Sequence, residues 1–182
     1  YHGPTFKSLT SWETGYAYKQ FIKTFVENTE SLIMGEPEEK YTTIQAGQAT
    51  GEFVGGNLSL FTKLVCGKYA VNVQDKILFL EELGFEAAPE MVNSNIYYLK
   101  QNGVFDRIAG LWIGNYEHPS KISLEKIVMN AIGDEYKFPI IKSNNFGHID
   151  KKIIIPIGTK AGINTNEKIK IKLVEKCVDE GK

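Results

Sequence analysis

The sequence predicts an α/β protein whose sheet contains buried strands. Two continuous apolar runs of strand length, residues 77–80 and 108–113, support this class. Each run is followed by a segment in which apolar residues recur at helical spacing. Strand and helix therefore alternate along the second half of the chain, which is the pattern of a sheet covered by helices.

A helix and a linker are predicted near the start of the chain. Apolar and aromatic residues share one helical face at Tyr18, Phe21, Ile22, Phe25 and Val26. The polar segment GEPEEK, residues 35–40, follows. We interpret it as a linker, because its proline interrupts regular structure and its charges favour solvent.

Two strands and a short helix are predicted after the linker. The strands cover residues 41–45 and 51–54 and bracket the glycine-containing segment AGQATG. The segment GGNLSLF then turns into the helix. No internal repeat or low-complexity tract is present.

Two helices and three strands complete the prediction. One helix opens at Pro89 and ends at Gly103, and the other is capped by Ser123 and stops at Gly133. Their buried faces carry Val92, Ile96 and Leu99 in the first helix and Leu124, Ile127, Val128 and Ala131 in the second. Strands are expected over residues 138–141, 152–157 and 168–174, the last alternating apolar residues with lysines.

Composition and charge narrow the class of protein. At 182 residues the chain is expected to form one domain plus an appendage, since a domain averages about 150 residues. Its net charge is −1 and its basic residues are scattered, so nucleic acid is not an expected partner. No membrane-spanning run and no signal peptide are recognised, but Tyr1 is not a natural start, so we expect a preceding segment.

The two cysteines are predicted to be reduced thiols in a packed interior. Cys66 and Cys177 stand far apart and fit no metal-ligand spacing. Reduced thiols favour the cytoplasm as the compartment.

Two carboxylates at the end of the strand over residues 77–80 are candidate functional groups. Strand ends are where open α/β folds usually place their sites, and a buried carboxylate needs a partner. Because side chains alternate along a strand, only one of Glu81 and Glu82 can face a given cleft. The pattern alone does not choose between them, and two solvated residues at a strand end would show the same pattern.

His148 is the candidate base. It follows Gly147 in a loop before a predicted strand, and histidine is the side chain best suited to proton transfer near neutrality. A hydrogen-bonded surface histidine is the simpler alternative. His2 and His118 are expected to be exposed to solvent. No histidine pair or Cys/His cluster has metal spacing, so no metal site is predicted.

A nucleophile is not recognisable in the chain. No serine stands in the strained G-x-S-x-G context that presents a catalytic hydroxyl, as inspection of Ser8, Ser11, Ser31, Ser59, Ser94, Ser120, Ser123 and Ser143 shows. Cys66 has no activating neighbour and is read as structural. The segment GEFVGGNL lacks the Walker lysine and the Rossmann spacing, so no phosphate or cofactor site is predicted there.

Several segments in register carry a family resemblance. GEFVGGNLSLF, KILFLEELGFE, LKQNGVFDRIAGLWIGNYE and FGHIDKKIIIPIGTKAGIN, preceded by Gly3 and Pro4, resemble the C-terminal domain of LD-carboxypeptidases, a group that includes microcin C self-immunity peptidases. The resemblance implies an α/β, swivelling β/β/α domain over residues 36–182. Residues 1–35 would be the tail of the N-terminal domain or an interdomain connection with a helix.

The resemblance also implies a site. Members of this family hydrolyse an amide with a Ser-Glu-His triad split between two domains, and their serine lies in the N-terminal domain. By motif position the triad carboxylate falls on Glu81 and the base on His148. Asn57 in the GGNL motif is a candidate substrate-binding residue, with a turn-stabilising role as the equal alternative.

Further expectations follow from the resemblance. It implies a cytoplasmic homodimer without a cofactor, acting on cleaved wall peptides or on a microcin-like peptidyl nucleotide. Family members often carry a second acid shortly after the triad carboxylate, whereas here Phe85 precedes Glu86, so substrate preference is expected to differ. The chain alone should be inert. A non-catalytic module that binds such peptides with the same fold is the alternative hypothesis.

Overall fold

The computed structural model describes residues 1–5, 15–27 and 40–178. Its N-terminal helix, α1 (Tyr16–Phe21), continues as a π-helical segment, Ile22–Glu27. The remaining elements are β1 (Thr42–Gln45), β2 (Gln48–Asn57), α2 (Leu58–Val65), β3 (Ile77–Glu81), α3 (Pro89–Gln101), β4 (Gly110–Ile113), α4 (Leu124–Ile132), β5 (Ile140–Lys142), β6 (Lys160–Asn164) and β7 (Ile171–Leu173).

The strands form one sheet in the order β1-β5-β4-β3-β2-β6-β7. Its centre, β5-β4-β3-β2, is parallel, and β1, β6 and β7 are antiparallel to their neighbours. The long strand β2 serves both parts, because residues 48–52 pair with β6 and residues 53–57 pair with β3. The predicted α/β class is confirmed.

Alternation along β3 separates two cores. Leu78 and Leu80 pack into the cluster formed with the helices α2, α3 and α4. Ile77 and Phe79 pack on the other face against aromatic rings and against residues of the strands β6 and β7. Since every residue of β3 is buried, the two faces continue past the apolar run to its carboxyl end. Glu81 therefore follows Phe79, and Glu82 follows Leu80 toward the helical layer.

Residues that favour a helix start stand at the N-termini of α2, α3 and α4. Pro89 occupies the first turn of α3, and Val92, Ile96 and Leu99 are buried as predicted. Ser123 is the N-cap residue of α4 by backbone geometry, although its side chain makes no capping bond. Asn57 caps α2, because its Oδ1 accepts from Leu60 N at 3.2 Å.

Three sequence predictions differ from the structure. Residues 152–157 form no strand, because the apolar run packs into the aromatic core and only Ile155 makes a bridge, with His2. The strand expected from residue 51 already begins at Gln48, and β6 was not predicted as a separate strand. The small residues of KAGIN give only a weak apolar alternation. This segment therefore becomes a strand because it pairs with β2, and not because of its local strand propensity.

The predictions for the linker and for the two cysteines are confirmed only in part or lie outside the described residues. Residues 35–39 of the predicted linker lie outside the described residues. Both cysteines are free thiols, but the expectation of a packed interior is wrong for Cys66, which is exposed at the C-terminal end of α2. Cys177 is partly buried.

Gly55 provides a test of the β2–β3 pairing. Its φ is +137°, and a Cβ atom there would lie 1.9 Å from the carbonyl oxygen of Phe79. We expect Gly55→Ala to lower the free energy of unfolding by more than about 3 kcal/mol, because neither backbone can move without breaking the ladder. Urea denaturation measures this change.

Gly133 is the matched control. It also has a positive φ, +64°, but nothing lies within 4 Å of a Cβ there. Gly133→Ala should cost only the strain of the left-handed backbone, about 1–2 kcal/mol. Equal losses of unfolding free energy in the two variants would show that the close contact with Phe79 is not the reason why residue 55 must be glycine.

Candidate active site

Glu81 ends β3 in full burial. It is 0% exposed and stands opposite Asn57 in the β2–β3 register. Gly147 lies against it with a φ of +111°, and a Cβ atom at this residue would lie only 2.9 Å from Glu81 Oε2. A side chain at residue 147 would push the carboxylate away, so glycine is required for the close approach.

His148 is hydrogen-bonded to Glu81. Its Nδ1 lies 2.8 Å from Glu81 Oε2, and its side chain is 46% exposed. Nδ1 faces the carboxylate, and Nε2 is left for a partner on the solvent side. When Glu81 is ionised it is only an acceptor, so that Nδ1 then carries the proton. The structure thus brings together the two residues that the FGH and LFLE motifs single out.

The loop that carries His148 is anchored by buried polar side chains. Trp112 Nε1 donates to Ser143 Oγ at 2.8 Å, and Ser143 Oγ donates to Asn145 Oδ1 at 2.6 Å. Asn145 Nδ2 in turn donates to the Tyr41 hydroxyl at 3.1 Å. Phe146 packs edge-on against Trp112, with ring centroids 4.5 Å apart. The loop is therefore held on both sides immediately before His148.

The environment of Glu81 disfavours its charge. Burial raises the pKa of the Glu81 carboxyl, the hydrogen bond and the charge of His148 oppose this, and the negative charge of Glu82 adds to it. Glu81 Oε1 is buried and has no hydrogen-bond partner among the described residues. The carboxylate is thus held at an energetic cost, which is a pattern common at functional sites.

Glu82 has a different set of partners. Its carboxylate is 3% exposed and accepts from Asn57 Nδ2 at 2.6 Å, from Leu83 N at 2.9 Å, and from both Ser59 N and Ser59 Oγ at 2.9 and 2.5 Å. It faces the beginning of α2, away from the hydrogen bond between Glu81 and His148. Strand alternation thus gives the two neighbouring carboxylates separate environments.

A cleft of about 340 Å³ opens beside His148. It is lined by Asn57, Ser59, Leu60, Lys63, Glu82, Leu83, Glu86, Ala87, Met91 and His148. Two larger hollows, of about 460 and 450 Å³, are not lined by histidine. Lys63 and Met91 were not singled out from the sequence, and Ser59 was considered only as a nucleophile. Ser59 and Lys63 stand four residues apart on α2, which indicates a shared helix face, whereas nothing in the sequence indicated Met91.

Asn57 lies in this cleft with its amide already engaged. It caps α2 through Oδ1 and donates to Glu82 through Nδ2. Its turn-stabilising role is therefore visible in the structure, and its candidate role in substrate binding stays a prediction. Glu86 is exposed and lines the same cleft.

The expectation that His2 is exposed is wrong. Its ring packs against Phe79 and Phe146 with centroids 5.4 and 6.3 Å away, and its backbone pairs with Ile155. Burial lowers the pKa of His2 to about 4, with contributions from His148, Lys152 and the N-terminus. His2 is therefore neutral near pH 7. His118 is also partly covered, and its ring stacks on Tyr116.

In the part of the chain that the structure describes, no group of three or more His, Cys, Asp or Glu residues could hold a metal ion. Within the same residues, none of the helices has the length and apolar character needed to cross a membrane.

The chain matches a known family over most of the folded part. Residues 50–163 match the model of the LD-carboxypeptidase C-terminal domain. This range contains the strands β3 to β5, the cleft and His148, and it covers more than half of the chain. The protein belongs to the family defined by the LD-carboxypeptidase C-terminal domain.

Individual relatives agree with this assignment. A probable murein peptide carboxypeptidase of Bacillus subtilis (strain 168) is 29% identical over 192 aligned residues, which cover 100% of this chain and 57% of the relative. The MccF-like protein from Bacillus anthracis str. Ames, known from a crystal structure, is 31% identical in sequence and superposes with a TM-score of 0.65. The match covers 74% of this chain and 43% of that protein.

A solved structure extends the fold comparison to nearly the whole chain. The microcin C7 self-immunity protein MccF, wild type without ligand, superposes with a TM-score of 0.81 at 19% identity and covers 98% of this chain and 61% of that one. This likeness concerns the fold. The chain spans little more than half the length of these relatives, or less.

Replacement of Glu81 by Gln should stabilise the fold at neutral pH. A carboxyl whose pKa is raised in the folded state favours folding below its ordinary value of about 4.5 and opposes it as pH rises through the folded value. Glu81→Gln removes that cost. We expect a higher free energy of unfolding at pH 7 and a gain that shrinks toward pH 4, as measured by urea denaturation at several pH values.

Glu52→Gln is the control for a carboxylate with the opposite shift. Glu52 is exposed, and its hydrogen bond with Lys76 lowers the pKa of its carboxyl. Its replacement should give no gain at pH 7. A Glu81→Gln variant that is less stable than the parent protein by the same amount at every pH would contradict the burial argument.

Proposed function

We propose that this domain supplies the glutamate and the histidine of a Ser-Glu-His triad in a serine carboxypeptidase. The observation that carries the proposal is the 2.8 Å hydrogen bond between His148 Nδ1 and the buried Glu81 Oε2 beside an open cleft. Membership of the LD-carboxypeptidase family and the names of the relatives support a peptidase.

The proposed roles follow from the geometry. His148 Nε2 takes the proton of the attacking hydroxyl and later donates it to the leaving amine. Glu81 accepts from Nδ1–H, which fixes the tautomer and stabilises the imidazolium that forms. Water then hydrolyses the acyl-enzyme with His148 acting again as base.

The nucleophile is proposed to come from an N-terminal domain outside these 182 residues. Among the described residues, Ser59 is the serine that lines the cleft, but its Oγ donates to Glu82 and accepts from Asn95 Nδ2 at 3.1 Å. Its hydroxyl is therefore committed to structural contacts rather than to His148. The longer relatives have room for a further domain.

The proposed substrate is a murein peptide cut at an L,D-peptide bond. The name of the Bacillus subtilis relative, which aligns with all of this chain, supports this class. The amide of a microcin-like peptidyl nucleotide is the second candidate, supported by the MccF-like relative at 31% identity. We propose that Asn57 and Glu86, which line the cleft beside His148, contact the substrate and influence this preference.

A non-catalytic peptide-binding module is the alternative function. It would keep the fold and the cleft but lack a serine opposite His148. A glycine-flanked serine elbow in the N-terminal domain would favour catalysis, and its absence would favour binding only. Homodimerisation and a cytoplasmic location stay predictions from the family resemblance.

Removal of the imidazole tests the triad in the full-length protein. We expect His148→Ala to lower kcat/KM by about 10⁴-fold, because the hydroxyl then lacks its base. Release of D-alanine from a murein tetrapeptide measures the activity. His118→Ala is the matched control and should keep normal turnover, since the His118 ring is hydrogen-bonded to Ser120 within its own turn, away from the Glu81–His148 pair. Normal turnover by His148→Ala would remove His148 from the mechanism.

The 182-residue chain by itself should release no D-alanine. A base and its orienting acid cannot form an acyl-enzyme without a nucleophile. Turnover by the isolated chain that disappears in Ser59→Ala would contradict the proposal and assign the nucleophile to Ser59. In the full-length protein, Ser59→Ala should retain acyl-enzyme formation.

A further inference from the structure

Glu82 is a second buried carboxylate at the site, and the proposed triad does not use it. Four donors surround it, two from Ser59 and one each from Asn57 and Leu83. It lines the cleft together with His148, and its backbone N–H donates to Asn115 O at 3.1 Å. This number of contacts exceeds what a solvated residue at a strand end requires.

We propose that Glu82 is a positioning residue of the site, which holds Asn57 and the first turn of α2 at the cleft and keeps a fixed negative charge next to Glu81 and His148. The inference rests on the proposed triad and places a second buried carboxylate beside it.

The donor set fits an ionised carboxylate. All four contacts are N–H or O–H donors, and an ionised carboxylate is the side chain that accepts at both oxygens without donating. Ser59 N belongs to the first turn of α2, where the helix dipole favours a negative charge. Burial would disfavour this charge, and four hydrogen bonds offset that cost.

The charged and titratable groups around Glu82 come from several elements. Glu81 precedes it on β3, His148 approaches from the loop after β5, and Lys63 lies on α2. Glu86 lies on the segment between β3 and α3, and Tyr116 follows β4, with its hydroxyl bonded to Ala87 O at 2.9 Å. Of these, Glu81 is the buried group whose environment Glu82 most directly changes.

A fixed negative charge has a defined effect on the pair. It disfavours a second negative charge on Glu81, in line with the raised pKa of that carboxyl. It also favours a positive charge on the imidazole, which is the state of His148 in the transition state. The charge of Glu82 would therefore assist proton removal from the nucleophile without contacting it.

Two substitutions separate charge from packing. Glu82→Gln keeps the size of the side chain but removes the charge and introduces an NH₂ group facing donors. Glu82→Asp keeps the charge but shortens the side chain, so that hydrogen bonds to Ser59 or Asn57 are lost. A purely structural role predicts that both variants lose stability and that neither changes the pH dependence of kcat/KM in the full-length enzyme.

The first measurement uses the 182-residue chain and needs no activity. Carbon-13 NMR of the glutamate carboxyls gives the titration of Glu81. We expect its pKa to fall in Glu82→Gln and to change less in Glu82→Asp. Glu167→Gln, which removes an exposed carboxylate paired with Lys172 between β6 and β7, is the control and should leave it unchanged.

The second measurement uses the full-length enzyme. We expect Glu82→Gln to lower kcat by about tenfold or more while KM changes little, because the loss falls on the transition state. The acid limb of kcat/KM should move to lower pH. Unchanged titration of Glu81 in a folded Glu82→Gln variant would overturn the proposal.

The parent protein gives a test if the variants do not fold. Because all four of its contacts are donors, its Glu82 carboxyl carbon should show an ionised group at pH 7. A protonated Glu82 carboxyl at pH 7 would overturn the proposal. Neither result depends on turnover, so failure here is distinct from failure of the triad, which would appear as normal activity in His148→Ala.

Discussion

The burial of one carboxylate at the end of β3 is the constraint on which the site depends. Glu81 is 0% exposed, and the hydrogen bond from His148 Nδ1 to its Oε2 partly compensates the burial of its charge. The protein retains this unfavourable charge because the surrounding structure fixes it, with Gly147 packed against the carboxylate and the loop before His148 anchored to Trp112 through Ser143. Burial of the Glu81 carboxylate thus lowers the stability of the fold, and in return the carboxylate is held as a fixed hydrogen-bond acceptor beside the imidazole.

The double pairing of β2 places the other wall of the cleft. Its second half pairs with β3, so Asn57 and Glu81 end their strands in register. The chain then turns directly into α2, whose first turn receives Asn57 Oδ1 and the carboxylate of Glu82. Close approach of β2 and β3 at Gly55 makes this register possible. Neighbouring carboxylates consequently point to opposite sides of the sheet and meet different partners.

Much of the architecture could be predicted from apolar periodicity. The runs that became β3 and α3 have unambiguous length and spacing, whereas the apolar run before Pro156 looks like a strand and is instead packed as a loop. Periodicity could not choose between Glu81 and Glu82, since that choice depends on which face of the sheet the helices cover. The family motif made the choice. The cleft contributions of Ser59 and Lys63 depend on the packing of α2, which no local pattern encodes.

The proposed triad requires that Glu81 is ionised and accepts the Nδ1 proton of His148, so that Nε2 is the basic nitrogen. Nitrogen-15 NMR of the His148 imidazole at alkaline pH tests this most directly. We expect a proton on Nδ1 and an unprotonated Nε2. A neutral imidazole that carries its proton on Nε2, with Nδ1 accepting from a protonated Glu81, would contradict it.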